Sequence, residues 1–315
     1  MQLPAELASA IEAEAGNFAW RELARAAAAL SERYRRAGEN AGSSGRLTAP
    51  ERAAYLAVRF PATYAAVRTV LAEARRRLPG LAPRSLLDLA SGPGTTAWAA
   101  SEVFPEIEQI LCLEEDPAFI AMGRRLAAPR VRWMERDLRA GGQLPPADLV
   151  VLSYAAGELG AGERFIERAW AAAAQGLIVL EPGTPSGFGR VREIRDWLVR
   201  QGAIIAAPCP HSDACPVAAP DWCHFAVRVE RSSLHRRLKG GELGHEDEKF
   251  SYLVAARAGA AIADARIVRH PRIEPGLIRL ELCTRAGLSA TLVRRSDRDR
   301  FRRARKAEWG DEWTG

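Results

Sequence analysis

Lysine is nearly missing from this chain of 315 residues: only Lys239, Lys249 and Lys306 occur, so 42 of its 45 basic residues are arginine. Long apolar runs are missing too, and nothing approaches the ~18 consecutive apolar residues that a membrane-spanning helix needs. The opening Met1-Gln2-Leu3-Pro4 has neither the basic stretch nor the apolar block of a secretory signal, which sets the expectation of a cytoplasmic protein with no membrane partner. Cysteine is scarce and odd in number, five in all, so a disulfide framework is not expected. With 48% apolar residues the chain can bury a sizeable core, which excludes disorder and fibre.

The net charge is +6, and it is not evenly spread. Arg294 to Lys306 holds eight basic residues against Asp297 and Asp299, so the rest of the chain is balanced. An arginine-dense segment of this kind attracts phosphate backbones, because each neutralised phosphate releases counterions; a solvated helix face would have the same composition.

The apolar spacing over residues 3–36 predicts one helix. Asn40 to Gly45 reads as a loop, and Thr48-Ala-Pro-Glu51 as a capping box opening a second helix that Pro61 should bend or break. From Ser85 the pattern changes to short apolar runs separated by helical stretches: Ser85 to Leu89, Ile107 to Leu113, Val131 to Met134, Asp148 to Ser153 and Leu177 to Leu180. A parallel sheet covered on both faces produces such runs, so the fold class is α/β, a doubly wound sheet. The expected organisation is a helical N-terminal extension (1–80), a nucleotide-binding core (81–207), a Cys-rich insertion (208–250), C-terminal strands completing the sheet (251–294) and a basic tail (295–315). In that scheme Gly276 to Cys283 and Ser289 to Arg294 form a closing hairpin.

The first strand runs into Asp88-Leu-Ala-Ser-Gly-Pro-Gly94 and then a helix. Glycines 92 and 94 let a ligand approach the backbone, and the helix start offers free amides, at the sheet edge where open α/β folds bind their ligands. Gly92-x-Gly94-x-x-Ala97 with Glu114 also satisfies a loose nicotinamide-dinucleotide pattern. Asp88 argues against that reading, because a carboxylate there repels a pyrophosphate and suits the cationic amino group of S-adenosylmethionine. Glu114 after the second strand can take both ribose hydroxyls, and Asp137 after the third an adenine amino group. Ala90 stands where the usual D-x-G-x-G-x-G motif of class I methyltransferases has its first glycine. The fourth strand ends in Ser153-Tyr154 without an N/D-P-P-Y/F motif or a nucleophilic cysteine, so no catalytic residue is assigned; Ser153, Tyr154 and Glu158 are candidates to line a substrate pocket or to cap the strand.

Cys209-Pro-His211, Cys215-Pro216 and Cys223-His224 place three thiols in a proline-punctuated segment that cannot be regular helix or strand. Cys283 is the candidate fourth ligand: strand alternation puts it with Arg279 and Glu281, opposite Ile278, Leu280 and Leu282, which is the wrong face for a packing cysteine. Cys112, inside Ile110-Leu-Cys-Leu113, reads as core. Four thiolates can hold zinc or an iron–sulfur cluster, with His211 and His224 as further possible ligands, and spacing does not choose between the metals.

Across most of its length the sequence resembles the methyltransferase-like proteins of the mitochondrial small ribosomal subunit and their bacterial relatives. The resemblance is carried by Arg59-Phe-Pro-Ala-Thr-Tyr64, Leu87 to Gly94, Ala207-Pro-Cys-Pro-His211 with Cys215-Pro216, Asp221-Trp-Cys-His-Phe225, Arg228-Val-Glu-Arg231 and Glu246 to Tyr252. It implies a four-iron four-sulfur (4Fe-4S) cluster on Cys209, Cys215, Cys223 and Cys283, and an S-adenosylmethionine site in the sheet. As partner it implies the small ribosomal subunit and its rRNA. Arg228, Arg231, Arg236, Arg237 and Lys239 would extend a basic RNA-facing surface, partly offset by Glu242 to Glu248.

Overall fold

The computed structural model describes residues 1–37 and 46–314; the predicted loop at Asn40 to Gly45 lies outside the described residues. Two compact units are present, one of residues 1–72, 82–178 and 227–248, the other of residues 73–81, 179–226 and 249–315.

The first unit opens with α1 (Ala5–Gly16) and α2 (Trp20–Ala37), so the single helix expected over 3–36 is broken at residues 17–19. Phe18 in the break packs against a cluster that includes Leu23, Leu30 and Val58. In α3 (Ala49–Val58) the capping box is complete: the Thr48 hydroxyl accepts from the Glu51 amide at 3.4 Å, and the Glu51 carboxylate from the Thr48 amide at 2.8 Å. The break expected at Pro61 falls at Arg59, because proline is tolerated in the first turn of a new helix, here α4 (Phe60–Arg77).

The core of this unit alternates β1 (Ser85–Leu89), α5 (Thr95–Val103), β2 (Gln109–Glu114), α6 (Pro117–Leu126), β3 (Val131–Glu135), β4 (Ala147–Ser153), α7 (Ala156–Leu159), α8 (Glu163–Ala172) and β5 (Ala173–Pro182). Strand order is β3-β2-β1-β4-β5. β1 pairs in parallel with β2 on one side and with β4 on the other, so the order reverses at β1. That reversal opens a crevice at the carboxyl ends of the strands. Leu86, Leu87 and Leu89 of β1 and Leu149 to Leu152 of β4 are fully buried, as continuous apolar runs require.

β5 ends in the second unit, which continues through α9 (Pro185–Arg200) and β6 (Ile204–Ala207). Residues 208–224 then run without helix or strand. β7 (Phe225–Glu230), α10 (Ser233–Lys239) and β8 (His245–Ala256) follow, with β8 antiparallel to β6. The remaining strands are β9 (Ala265–Ile267), β10 (Arg272–Glu274), β11 (Leu277–Thr284) and β12 (Gly287–Arg294), before α11 (Arg298–Ala304). The expected β11–β12 hairpin forms, with Cys283 opposite Leu288, but it does not complete the main sheet. β11 also pairs with β9 and β10, making a second sheet whose core joins Ile267, Ile278, Leu280, Leu282 and Val293 to Trp313. Among the described residues, no helix is long and apolar enough to cross a membrane.

Candidate functional site

The crevice beside β1 is built around one carboxylate. Asp88 is fully buried and, among the described residues, neither of its oxygens has a hydrogen-bond partner. Burial pushes its pKa up to about 8; nearby Thr96 opposes this and Glu114 adds to it. A buried carboxylate with no partner is costly in its ionised form, and a bound cation relieves that cost.

After Asp88 the chain curls through left-handed conformations at Ala90 (φ 53°), Gly92 (φ 53°) and Gly94 (φ 86°). A Cβ on Gly92 would point into open space, whereas one on Gly94 would lie 3.1 Å from the Trp133 ring. The loop is therefore open over Gly92 and closed beneath Gly94, and Gly94 is the N-cap of α5, with no side-chain cap hydrogen bond to its first amides. Ala90 holds a conformation that costs an L-residue roughly 1–2 kcal/mol. Ala90→Gly is expected to stabilise the protein by about 1 kcal/mol in chemical denaturation, the glycine's larger chain entropy removing part of the gain. A destabilised variant would show that the alanine methyl is needed for packing.

Glu114, at the end of β2, ties this loop down. Its Oε2 accepts from the Gly92 amide at 2.7 Å, and its Oε1 from the amides of Glu115 (3.0 Å) and Asp116 (2.9 Å). Burial raises its pKa and the three amides oppose the rise. Three amides thus occupy most of the acceptor capacity of this carboxylate and leave a lone pair on Oε2 without a donor among them. Asp137 caps the 3-10 turn Leu138–Ala140, its Oδ1 accepting from the Arg139 amide at 2.9 Å, and it is half exposed. The structure thus brings Asp88, Ala90, Gly92, Gly94 and Glu114 into one strand-end loop system and leaves Asp137 on a separate turn.

At the end of β4 two features escaped the sequence reading. Ser153 and Thr96 share a hydroxyl–hydroxyl hydrogen bond of 3.2 Å, joining the strand to α5. Tyr154 takes a left-handed conformation (φ 57°), and its phenol donates to Glu248 at 3.2 Å while Arg59 pairs with the same carboxylate at 3.3 Å. Arg59 and Glu248 both lie in segments that carry the family resemblance, the one signal that could have found them.

The four cysteines converge within the second unit. Cys209, Cys215, Cys223 and Cys283 all line one cavity of about 40 Å³, together with the buried Arg195 and Arg266. Burial pushes the Cys283 thiol up to about 12; the Cys209 and Cys215 thiols add to this and the two arginines oppose it. Burial and the other three cysteines likewise raise Cys223, which the nearby Arg269 opposes. Cys283 is buried on the β11 face whose neighbour Arg279 is exposed, as the alternation required. Cys112 is fully buried in β2. Of the histidines, His211 lines the cavity with Nε2 3.9 Å from the Cys283 sulfur. His224 instead stacks on Trp222 with ring centroids 5.1 Å apart and meets Trp309 edge-on.

Among the described residues no three His, Cys, Asp or Glu side chains are gathered closely enough for a single metal ion. One zinc ion with Zn–S bonds of about 2.3 Å would draw its sulfurs into contact with one another. The four thiols line one small cavity without being gathered to that geometry.

Residues 49–314 match the model of the mitochondrial small ribosomal subunit protein family Rsm22. The chain belongs to the Rsm22 family. Among curated relatives it is 26% identical over 287 residues to the human mitochondrial ribosome assembly protein METTL17, covering 82% of this chain and 61% of that protein. It is 23% identical over 333 residues to the fission yeast mitochondrial Rsm22-cox11 tandem protein 2, covering 85% and 44% respectively. The chain therefore spans about half the length of the curated relatives it matches. Similar solved structures include the magnesium protoporphyrin IX methyltransferase of Synechocystis with bound S-adenosylhomocysteine (14% identity, TM-score 0.42, 72% of this chain and 93% of that one). A methyltransferase of Aquifex aeolicus has 13% identity and a TM-score of 0.40, covering 64% and 95%. The fold class is α/β and class I methyltransferase-like. The family and these curated relatives are described as mitochondrial, which overturns the cytoplasmic localisation expected from the N-terminus.

Proposed function

We propose that this Rsm22-family protein binds S-adenosylmethionine beside β1, carries a 4Fe-4S cluster on Cys209, Cys215, Cys223 and Cys283, and acts on or with the rRNA of the small ribosomal subunit. The observation that carries the donor site is the buried, unpartnered carboxylate of Asp88 at the point where strand order reverses. Asp88 would hold the donor's cationic amino group, the Gly92–Gly94 backbone would admit its chain, and Glu114 would accept from a ribose hydroxyl. Asp137, with its second oxygen, would take the adenine amino group. S-adenosylmethionine supplies a methyl group to a nucleophile brought into line with it, which needs alignment more than a dedicated acid or base. The cysteines would secure the irregular 208–224 segment to β11, so that ligation becomes folding free energy for that part of the chain.

The RNA-facing surface is best supported at the C-terminus, where Arg294, Arg295, Arg298, Arg302, Arg303, Arg305 and Lys306 are all exposed. The basic residues in and after β7 contribute less than their number suggests: Arg231 and Lys239 pair with Glu246 at 2.8 Å, Arg228 with Asp247 at 3.0 Å, and Arg237 lies over the Trp20 ring.

A second reading is a ribosome assembly factor that binds donor and rRNA without turnover. It is favoured by Tyr154 being engaged with Glu248 where a methyltransferase presents its acceptor-binding motif, and by the assembly role in the human relative's name. Calorimetry with S-adenosylhomocysteine tests the donor site, and measurable affinity is expected; its absence would remove both readings. Mapping of rRNA methyl groups in a deletion strain separates them, since loss of one modification requires turnover and an unchanged pattern supports assembly alone.

A further inference from the structure

Two arginines buried in the wall of the four-cysteine cavity differ in how their charge is met. Arg266 is 1% exposed and every nitrogen of its guanidinium is engaged: Nε donates to the Pro208 carbonyl (2.9 Å), Nη1 to the Gly310 carbonyl (2.8 Å) and Nη2 to the Glu73 carboxylate (2.7 Å). Glu73 is itself largely buried, so this cation has a counter-charge inside the protein.

Arg195, on α9, is 3% exposed and has no such partner. Its Nη2 donates to the carbonyls of His211 (3.1 Å) and Asp213 (2.6 Å), in the segment between Cys209 and Cys215. Its Nη1 reaches Asp196 at 2.9 Å, but that carboxylate is 45% exposed, and an acid in contact with water compensates a buried base poorly. The Nε–H is buried and unpartnered among the described residues. A buried cation is stabilised by a buried anion, and Arg195 lines the same cavity as the four thiols, with the Cys209 thiol beside its guanidinium.

We infer that Arg195 is the internal counter-cation of an anionic iron–sulfur centre in this cavity, positioning the Cys209–Cys215 segment through its two carbonyls and making the centre easier to reduce through its charge. The inference rests on the proposed cluster. Each electron added there adds negative charge, which a fixed neighbouring cation stabilises; removing the cation lowers the reduction potential.

The test compares wild-type protein, Arg195→Gln and Arg195→Lys, purified anaerobically, by iron and sulfide analysis and by potentiometric titration with dithionite followed by electron paramagnetic resonance. Arg195→Gln is expected to keep its iron while its one-electron reduction equilibrium constant falls at least tenfold, a drop of 59 mV or more for one electron. Arg195→Lys, which keeps the charge, is expected to stay within threefold of wild type. Full iron and an unchanged potential in Arg195→Gln would overturn the inference. If Arg195→Gln binds no iron, full occupancy in Arg195→Lys still supports the need for charge, and loss of iron in both variants counts against it. Wild-type protein without iron would overturn the cluster assignment itself, and this inference with it.

Discussion

Arg266→Met is expected to cost the protein about 3–5 kcal/mol, the penalty for breaking a buried ion pair from one side. The side chain is 1% exposed and joins three separate stretches of chain: Pro208 before the first cavity cysteine, Gly310 near the C-terminus, and Glu73 at the end of α4. Methionine fills similar volume but leaves two carbonyls without their donor and Glu73 with only Arg76 and Arg77. Burial raises the Glu73 pKa, but Arg266 and its neighbours outweigh this and hold the carboxyl below its ordinary value of 4.5. Its contribution to stability is therefore complete above that value and is lost as pH falls through the lowered native pKa. The wild-type advantage over the variant should be full near neutrality and shrink in acid. Urea denaturation at pH 7 and pH 3 measures both, and a loss below 1 kcal/mol at pH 7 would show that Arg266 is not the tie described.

Asp88→Asn is expected to weaken binding of S-adenosylhomocysteine by about 10- to 150-fold, the equivalent of ~1.5–3 kcal/mol for a hydrogen bond to a charged group. The pH dependence has a definite sign. In ligand-free protein the unfolded chain releases the Asp88 proton near pH 3.8, while the native state keeps it up to about 8. Between those values stability falls as pH rises, and the asparagine variant loses that slope. A cationic ligand favours the ionised carboxylate, so binding at pH 7 should release a proton and tighten as pH rises toward 8. Calorimetry in two buffers of different ionisation enthalpy detects the proton. Equal affinity in wild type and variant, with no proton release, would remove Asp88 from the donor site.

The parts of the molecule legible in its sequence are those governed by local periodicity. Ser85 to Leu89 was expected as a strand and is β1 with those bounds, because a buried parallel strand needs a continuous apolar run. The Thr48–Glu51 capping box is likewise a signal contained within four residues. Cys283 was separated from the packing cysteines by alternation alone, and it lines the cavity with the other three. Pairings between distant segments were not legible. Opposite β12, β11 pairs with β9 and β10, three residues each and too short to show a period, so periodicity assigns the hairpin to the main sheet. Arg59 and Glu248, 189 positions apart, have no local feature that predicts their meeting beside Tyr154. The difference between Arg195 and Arg266 depends on which carbonyls and carboxylates surround each guanidinium, and composition cannot report that.

The most direct test of the assigned metal centre is iron, sulfide and zinc analysis of anaerobically purified protein, with its visible spectrum, for wild type and Cys283→Ser. The expected wild type is brown, absorbs near ~400 nm and holds about four irons and four sulfides per chain without zinc, as one four-iron cluster requires; the variant loses most of that chromophore. Colourless wild-type protein, or a Cys283→Ser variant with its chromophore and stability intact, would contradict the four-cysteine assignment.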